Sequence, residues 1–369
     1  MDVTTESRHA LHELIGLLQE VDTRWASEEW NITSEEDVYS AHRALMHLLE
    51  GGLHSHFEGD AAYPHFRRIV SPTRKFTGDN GDAIYFDAYL SNDYEYIVRG
   101  EMAGAVYMSI TAEEGTADGS LGSNTAGVLN NTQFDVDKDG RFELFIGGKP
   151  RMRNWLALSD KASAVTTRHY FEEKICVAAD RNREPVITIE AIGLKEASDT
   201  FTDASVAKGI RRAAEFVRSR TIGQPPMSQA KQPDFVGLVP NNFPIPALPA
   251  DLGLAAADAH YSMAPYYLAD DEALIMTGRW PTCCFANVCL WNRFQQTFDY
   301  RNRQVSLNRT QTELESDGSF RIVLAHQDPG CKNWIETEGR NLGLVFWRFM
   351  LAEGKIAAPQ GEVVKFADL

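Results

Sequence analysis

Length, composition and charge already exclude several classes of protein. The chain has 369 residues, 43% hydrophobic and 24% charged, the balance of an ordinary soluble globular protein with room for two or three domains. A formal net charge of −16 repels phosphate backbones and anionic lipids, so we expect neither nucleic acid nor a membrane as a partner. No apolar run is long enough to span a bilayer, and the acidic start is unlike a secretory signal, which together predict a cytoplasmic protein.

Two helices are predicted over residues 6–50. The first carries a stripe of leucines at helical spacing. The second is introduced by Thr33-x-x-Glu36, a capping box whose side chains can satisfy free amides of the first turn, and Gly51-Gly52 is expected to end it. We expect this helical hairpin to pack on a β layer or on another subunit.

Short segments rich in β-branched and aromatic residues follow from Ile84 onward, separated by turn formers. A third helix is predicted at about 204–219. Residues 225–249 hold seven of the fifteen prolines and are expected to form an extended arm across a surface. The predicted organisation is a helical region at 1–60, a first β module at 61–200, a helix and proline-rich linker at 201–256, and a second β module at 257–369.

The β-rich part carries an internal duplication, because an ordered series of matches recurs at a nearly constant offset along the chain. The matched pairs are Tyr89-Leu90 with Tyr267-Leu268, Gly100 with Gly278, Asp139-Gly140 with Asp317-Gly318, Asn154-Trp155 with Asn333-Trp334, and Arg168 with Arg348. The copies cover about 89–172 and 267–353. The expected fold class is α+β, mainly β, with two tandem antiparallel β-sandwich modules of jelly-roll type behind the helical hairpin.

At these motifs the chain resembles a bacterial family of unknown function, DUF twelve-fourteen, in its two-copy actinobacterial form. The likeness is carried by residues 317–323, 333–334 and 346–350, with echoes at 139–146, 154–155 and 168–171. Upstream, residues 78–85 are similar to the Asn-x-Asp-Thr-x-Tyr stretch of the companion DUF twelve-fifty-four domain, with Ala83 where threonine is usual. The resemblance spans about 64–353 and implies β-sandwich modules and a homo-oligomer. It brings no catalytic residues.

Residues that differ between the copies are where a site belonging to one cleft should be found. Asp79 and Asp82 have no counterpart in the second copy and could act as acid and base if burial raised one pKa. A plain Asn-Gly turn before a strand explains the same residues without chemistry. In the second copy His326 and Glu336 are also unshared and could exchange a proton, although a lone histidine in a loop usually faces solvent.

The leading interpretation is a small-molecule-binding protein with its site in a cleft between the two modules. Acid–base chemistry of the hydrolase or lyase type fits best if it is an enzyme, since no cofactor motif is visible. The alternative is a non-catalytic oligomeric or carbohydrate-binding protein. The candidate catalytic residues are Asp79, Asp82, His326 and Glu336, and the candidate ligand-binding residues are Tyr85, Asp87, Trp280, Trp291 and Arg340.

Metal binding is weakly supported, and no metal site is expected. Asp135, Asp137 and Asp139 open a loop of the EF-hand calcium type, but Ile146 stands where a bidentate acid is required. The pattern His54-x-His56 also resembles a pair of metal ligands on a strand, but an exposed loop after the second helix explains it better. The five cysteines lack paired spacing, so we expect reduced thiols.

Three further patterns favour structural roles. Four cations, Arg67, Arg68, Arg74 and Lys75, could hold an anion but are typical of a solvated loop. The duplicated Asn-Trp pairs are expected to serve the fold, with the amide bridging backbone groups at a corner and the indole in the core. The duplicated arginines, Arg168 and Arg348, are expected each to pair with a carboxylate.

Overall fold

The structure is a computed structural model that describes residues 4–122, 124–193, 201–226, 229–249 and 254–369. Its helices are α1 (Glu6–Arg24), α2 (Glu35–His56) and α3 (Asp203–Ser219). The strands of the first half are β1 (Arg67–Arg68), β2 (Ala83–Tyr89), β3 (Glu95–Glu101), β4 (Tyr107–Glu114), β5 (Asn124–Asn130), β6 (Arg141–Ile146), β7 (Trp155–Leu156), β8 (Ala162–Tyr170) and β9 (Ile187–Ile192). Those of the second half are β10 (Ala259–Tyr267), β11 (Glu272–Gly278), β12 (Phe285–Trp291), β13 (Ser306–Asn308), β14 (Phe320–Ala325), β15 (Trp334–Glu336), β16 (Leu342–Met350) and β17 (Gln360–Lys365).

The three helices form one layer with a common apolar core, to which α1 contributes Leu17, α2 contributes Leu48 and α3 contributes Phe216. The capping residue of α2 is Ser34, one position after the threonine expected from the sequence, and its hydroxyl accepts a hydrogen bond from the amide of Asp37 at 3.1 Å. The third helix begins and ends within one residue of its predicted bounds.

The prediction that Gly51-Gly52 ends the second helix is wrong. Helix α2 continues to His56, and the glycines serve its contact with α3. A Cβ atom on Gly52 would lie 2.9 Å from the carbonyl oxygen of Ala213, so only glycine permits this approach. His54 and His56 therefore lie in a helix and not in an exposed loop, and His56 is buried.

The two β modules have the same strand order, which confirms the duplication. The sheets of the first module run β1-β2-β8-β4-β5 and β7-β6-β3-β9, and those of the second run β10-β16-β12-β13 and β15-β14-β11-β17. Apart from β1, each strand occupies the place of its counterpart in the other copy. All pairings are antiparallel except β6 with β7 and β14 with β15, which are parallel in both copies. The expected fold class, mainly β with two modules behind a helical region, is confirmed.

Each module is a sandwich with its own apolar core between its two sheets. In the first module Tyr96 and Met108 come from opposite sheets into this core. In the second, Leu274 and Trp347 do the same. The ring of Trp280 lies 4.8 Å from that of Phe320 in the second core, so this predicted ligand-binding tryptophan is a packing residue.

The modules face one another through the outer sides of the sheets that contain β2, β8 and β4 in the first and β10, β16 and β12 in the second. A shared apolar cluster joins them, including Tyr85 and Tyr170 from one module and Phe285, Trp291 and Phe346 from the other. This cluster occupies the space where the sequence suggested an open cleft.

The proline-rich arm lies along β10. The amide of Gly237 donates to the carbonyl of Met263 at 2.7 Å, and Ala247 forms an isolated antiparallel bridge with Tyr261. In the described part of the chain no helix is long and apolar enough to cross a membrane. All five cysteines are free thiols.

The duplicated asparagines act at corners, as predicted. The side-chain amide of Asn333 donates to the carbonyls of Glu313 at 2.7 Å and Arg321 at 3.0 Å, and its oxygen accepts from the amide of Glu313 at 2.8 Å. In the first copy the side chain of Asn154 accepts from the amide of Asp135 at 2.9 Å. The corner asparagines therefore hold the strand before each Asp-Gly turn against the strand that follows it.

Substituting Asn333 by alanine is expected to lower the free energy of unfolding by about 2 kcal/mol, because it removes three hydrogen bonds to backbone groups. Urea denaturation of the purified protein measures this loss. The matched control is Asn302→Ala, since within the described chain that side chain forms one hydrogen bond, to the half-buried carboxylate of Asp299. An equal loss in both variants would contradict the bridging role.

Candidate functional site

A cavity of about 230 Å³ lies where α2 meets the second module. Helix α2 supplies one wall, the loop between β12 and β13 supplies a second, and the loop between β15 and β16 supplies a third. This α2 cavity is lined by Tyr39, Ser40, Arg43, Asn292, Thr297, Phe298, Asp299, Glu338 and Arg340.

Two arginines of the second module hold the walls of the α2 cavity together. A guanidinium nitrogen of Arg340 lies 2.5 Å from the carboxylate of Glu36 on α2. Arg293, in the loop after β12, lies 2.8 Å from the carboxylate of Asp37 in the first turn of α2. Both acids belong to the N-terminal turn of the helix, where negative charge is also favoured by the helix dipole. The predicted ligand-binding residue Arg340 is thus part of the cavity wall.

The floor of the α2 cavity is Thr297, which covers a buried ion pair. Its hydroxyl donates to a carboxylate oxygen of Asp79 at 2.5 Å and accepts from the ammonium of Lys75 at 2.7 Å. The same ammonium lies 3.7 Å from the Asp79 carboxylate and 3.4 Å from the ring centroid of Tyr300. Burial raises the pKa of Asp79 and lowers the pKa of Lys75, while the attraction between them opposes both shifts.

Asp82 lies in a second buried network, which links the two modules. Its two carboxylate oxygens accept hydrogen bonds from the side-chain amides of Asn287 at 2.9 Å and Asn308 at 3.1 Å, on β12 and β13. Burial raises the pKa of Asp82 to about 7, although the two amide donors favour the charged form. Nearby, the indole nitrogen of Trp291 donates to the carbonyl of Asp79 at 2.8 Å. The structure therefore brings Asp79, Asp82 and Trp291 to one junction.

The duplicated arginines differ in their partners. Arg168 donates to the hydroxyl of Thr111 at 2.8 Å and lies 3.6 Å from the carboxylate of Glu113, as expected. Arg348 is equally buried, yet it forms no ion pair with any described residue, and its Nε and Nη1 atoms have no hydrogen-bond partner. The expectation of a carboxylate partner is wrong for Arg348.

The reason for this difference is visible in the register. Ser109 pairs with Arg168 across β4 and β8, and Asn287 pairs with Arg348 across β12 and β16. Counting on from these two matched positions, the second copy has Trp291 in place of Glu113 and Cys289 in place of Thr111. The arginine is retained while both of its partners are lost, a signal that the sequence contained and that we missed.

His326 and Glu336 do not join the other predicted catalytic residues. They follow β14 and end β15, in the sheet of the second module that lies away from the first module. The ring of His326 contacts the hydroxyl of Thr337 at 2.6 Å, and Glu336 forms an ion pair with Arg303. No hydrogen bond joins His326 to Glu336 within the described chain, so the structure gives no support for a shared proton.

Asp87 and Tyr85 lie on the same strand, β2, but at different places. Asp87 lies opposite Arg67 in the pairing of β1 with β2, and burial raises its pKa to about 6, a shift that the side chain of Ser55 opposes. It lines a small void of about 10 Å³, which has room for little more than one water molecule. Tyr85 lies between the modules, with its hydroxyl 3.4 Å from that of Tyr170.

The basic cluster is not a solvated loop, which corrects the expectation from its composition. Arg67, Arg68 and Arg74 are half-buried and donate to backbone carbonyls, for example Arg68 to Ala178 at 2.9 Å, while Lys75 is buried. These side chains tie the segment between α2 and β2 to the first module.

The acidic loop before β6 is held by contacts of its own. The carboxylate of Asp137 accepts from the amides of Asp139 at 2.9 Å and Arg141 at 2.8 Å, and Asp135 forms an ion pair with Arg153. In the part of the chain that the structure describes, no group of three or more His, Cys, Asp or Glu residues is arranged to hold a metal ion.

A family model matches most of the second module. Residues 287–352, from β12 to just beyond β16, match the family described as "Protein of unknown function (DUF1214)". This match supports the DUF1214 resemblance. No protein with a curated description matches the chain.

Two solved structures resemble this chain in fold. An uncharacterized protein from Burkholderia cenocepacia is 26% identical, with a TM-score of 0.83 and 98% of each chain covered. A protein from Vibrio parahaemolyticus is 12% identical, with a TM-score of 0.51 over 88% of this chain and 98% of that one. The first likeness extends over the helical layer and both modules, and the second shows the fold alone.

Proposed function

We propose that this protein binds a small anionic metabolite in the α2 cavity. The observation that carries the proposal is that the cavity groups without a protein partner are hydrogen-bond donors. Arg43 forms no hydrogen bond or ion pair with any described residue. Asn292 uses its side-chain oxygen to accept from the amides of Phe294 and Gln296, which leaves its amide nitrogen for a ligand. A ligand that supplies acceptors complements these groups.

The acidic groups of the cavity already form hydrogen bonds or ion pairs within the protein. One oxygen of Glu338 accepts from the amide of Asp299 at 2.5 Å, and the other lies 3.9 Å from the guanidinium of Arg340. Asp299 accepts from the amide of Arg301 at 3.1 Å and from the side chain of Asn302 at 2.7 Å. The carboxylates therefore support the walls, and Arg43 supplies the charge that a ligand meets.

The dimensions favour a metabolite of few atoms. A volume of about 230 Å³ is below the roughly 300–1,000 Å³ of cavities that hold drug-sized ligands. Phe298 is buried and Tyr39 is 55% exposed, so an apolar wall and a phenol at the rim are available to a short carbon chain. Acid–base catalysis is outside this proposal, because Asp79 lies behind Thr297.

The proposal extends to the family relationship. We propose that the first module is a diverged copy of the DUF1214-type module, as in two-copy members, and that residues 78–85 correspond to the companion twelve-fifty-four motif. The shared strand order of the two modules, together with the match of the family model to the second module, supports this relationship.

Substituting Arg43 by glutamine is expected to weaken binding of malonate at least tenfold, because a charge-assisted hydrogen bond contributes roughly 1.5–3 kcal/mol. Isothermal titration calorimetry with malonate, inorganic phosphate and glucose measures the affinities. Arg8→Gln on the exposed face of α1 is the control, because it makes the same change of charge at a residue that does not line the cavity. Equal malonate affinity in the Arg43 variant, or preferential binding of glucose, would refute the anion and favour carbohydrate binding.

A further inference from the structure

We infer that a second small anion, of halide or short-carboxylate size, binds Arg348 in the interior between the two modules. This site is separate from the α2 cavity and does not depend on the function proposed for it. Arg348 lies near the C-terminal end of β16, is 3% exposed, and leaves Nε and Nη1 without acceptors. A buried guanidinium in that condition is strongly unfavourable unless a negative group compensates it.

The neighbouring side chains do not supply that negative group. The aromatic rings whose centroids surround the Arg348 guanidinium carbon belong to Phe346 at 4.9 Å, Tyr170 at 5.6 Å and Tyr261 at 5.7 Å. Burial raises the pKa of Tyr261 to about 12 and that of the Cys289 thiol to about 12, so neither is ionised at neutral pH. Faces of aromatic rings attract a cation without neutralising it.

The charge of Arg348 lowers the pKa of Asp82, so these two groups interact, but only through space. No ion pair forms between them in the described chain. Both Asp82 oxygens are held by asparagine amides on the second module. The carboxylate cannot move to Arg348 without breaking both of these hydrogen bonds.

The phenols around Arg348 provide donors for an anion. The hydroxyl of Tyr170 accepts from that of Tyr85 at 3.4 Å, and the hydroxyl of Tyr261 accepts from the amide of Ala256 at 3.0 Å. Each acceptor hydroxyl retains its own proton for a further bond. A guanidinium with unused N–H groups and two phenols with free protons offer donors, which complement a small anion and leave a cation without a role.

Comparison of the two copies explains why an anion is needed on one side only. In the first module Glu113 is the internal counter-charge of Arg168, at 3.6 Å. The second module has Trp291 at the equivalent position, and that indole stacks on Phe346 with ring centroids 4.1 Å apart. The bound anion takes the place of the lost carboxylate.

The test is anion-dependent stability of the full chain, with Arg348→Met as the variant and Arg168→Met as the control. Thermal unfolding is followed in sodium bromide, sodium formate and sodium gluconate at equal ionic strength. Wild type should gain several degrees in bromide or formate over gluconate, whereas Arg348→Met should show no difference. Arg168→Met should keep the extra stability in bromide or formate, because this variant still has the anion site at Arg348. Binding of malonate in the α2 cavity should be unchanged in Arg348→Met, and Arg43→Gln should retain the bromide response.

Two measurements on wild type keep the inference testable if Arg348→Met does not fold. Native mass spectrometry detects a carboxylate retained from the cell as a mass excess that is lost on unfolding. Crystals soaked in bromide should show anomalous scattering beside Arg348 if the resident anion is an exchangeable halide. The inference is overturned if wild type shows no anion response, no mass excess and no bromide at Arg348.

Discussion

Replacing Asp79 by alanine is expected to lower the free energy of unfolding by about 3–5 kcal/mol, the typical cost of breaking a buried ion pair on one side. The substitution leaves the ammonium of Lys75 buried with only the hydroxyl of Thr297, a carbonyl and an aromatic face. It also leaves the amide of Thr297 without the carboxylate oxygen that it meets at 2.7 Å. Urea denaturation at neutral pH measures the loss.

A double-mutant cycle separates the ion pair from the rest of the contact. The cycle uses Lys75→Met, Asp79→Asn and the two combined. Lys75→Met alone leaves a buried carboxylate, Asp79→Asn alone leaves a buried ammonium, and the double variant removes both charges. We expect the double variant to be more stable than the sum of the single losses implies, by roughly 1–3 kcal/mol of coupling. A plain Asn-Gly turn, the simpler interpretation of this segment, predicts losses below about 1 kcal/mol with no coupling, and that result would show that Lys75 and Asp79 do not stabilise one another.

Stability is expected to fall as the pH is lowered from about 6.5 towards 4, in part because of His169. This side chain on β8 is completely buried, and burial lowers its pKa to about 4. Below pH 6.5 the unfolded chain binds a proton at His169 that the folded protein does not. The contribution of the neutral ring is therefore present above pH 6.5 and is lost as the pH falls to 4, by roughly 3 kcal/mol for 2.5 pH units.

The substitution His169→Phe should remove this part of the pH dependence. The equivalent residue of the second module is Phe349, and His169 already packs edge-on against Phe86, so an apolar ring suits the position. The difference in unfolding free energy between variant and wild type should grow in favour of the variant between pH 7 and pH 4. Phe171→Leu, a packing change beside it that does not titrate, should give a difference independent of pH. A parallel pH dependence for His169→Phe and wild type would show that the ring is accessible to protons in the folded state.

Repetition within the chain made the architecture predictable. The matches at a nearly constant offset needed no knowledge of distant contacts, and they led to two modules whose strand orders agree. Local chemistry likewise located α3 and the corner role of Asn333, because capping and turn geometry depend on residues close in sequence.

Local patterns failed wherever a distant element determined the outcome. Gly51-Gly52 is a usual helix end, but α3 packs closely on those glycines and α2 continues through them. The sequence places Lys75 in a basic cluster and Asp79 in a turn. In the structure the two form a buried ion pair, and Thr297, from the other half of the chain, hydrogen-bonds to both. Burial of this kind is set by tertiary packing, which periodicity and turn signals do not describe.

The candidate site residues were likewise only partly predictable from the sequence. Residues chosen because they differ between the copies include Asp79 and Asp82, which do contact the second module, but His326 and Glu336 face elsewhere. The sequence by itself determined the duplication, the order of elements and the retention of Arg348. Only the tertiary structure decided that aromatic side chains of both modules pack against one another and that Arg348 forms no ion pair with any described residue, because charge compensation depends on which side chains meet across two packed sheets.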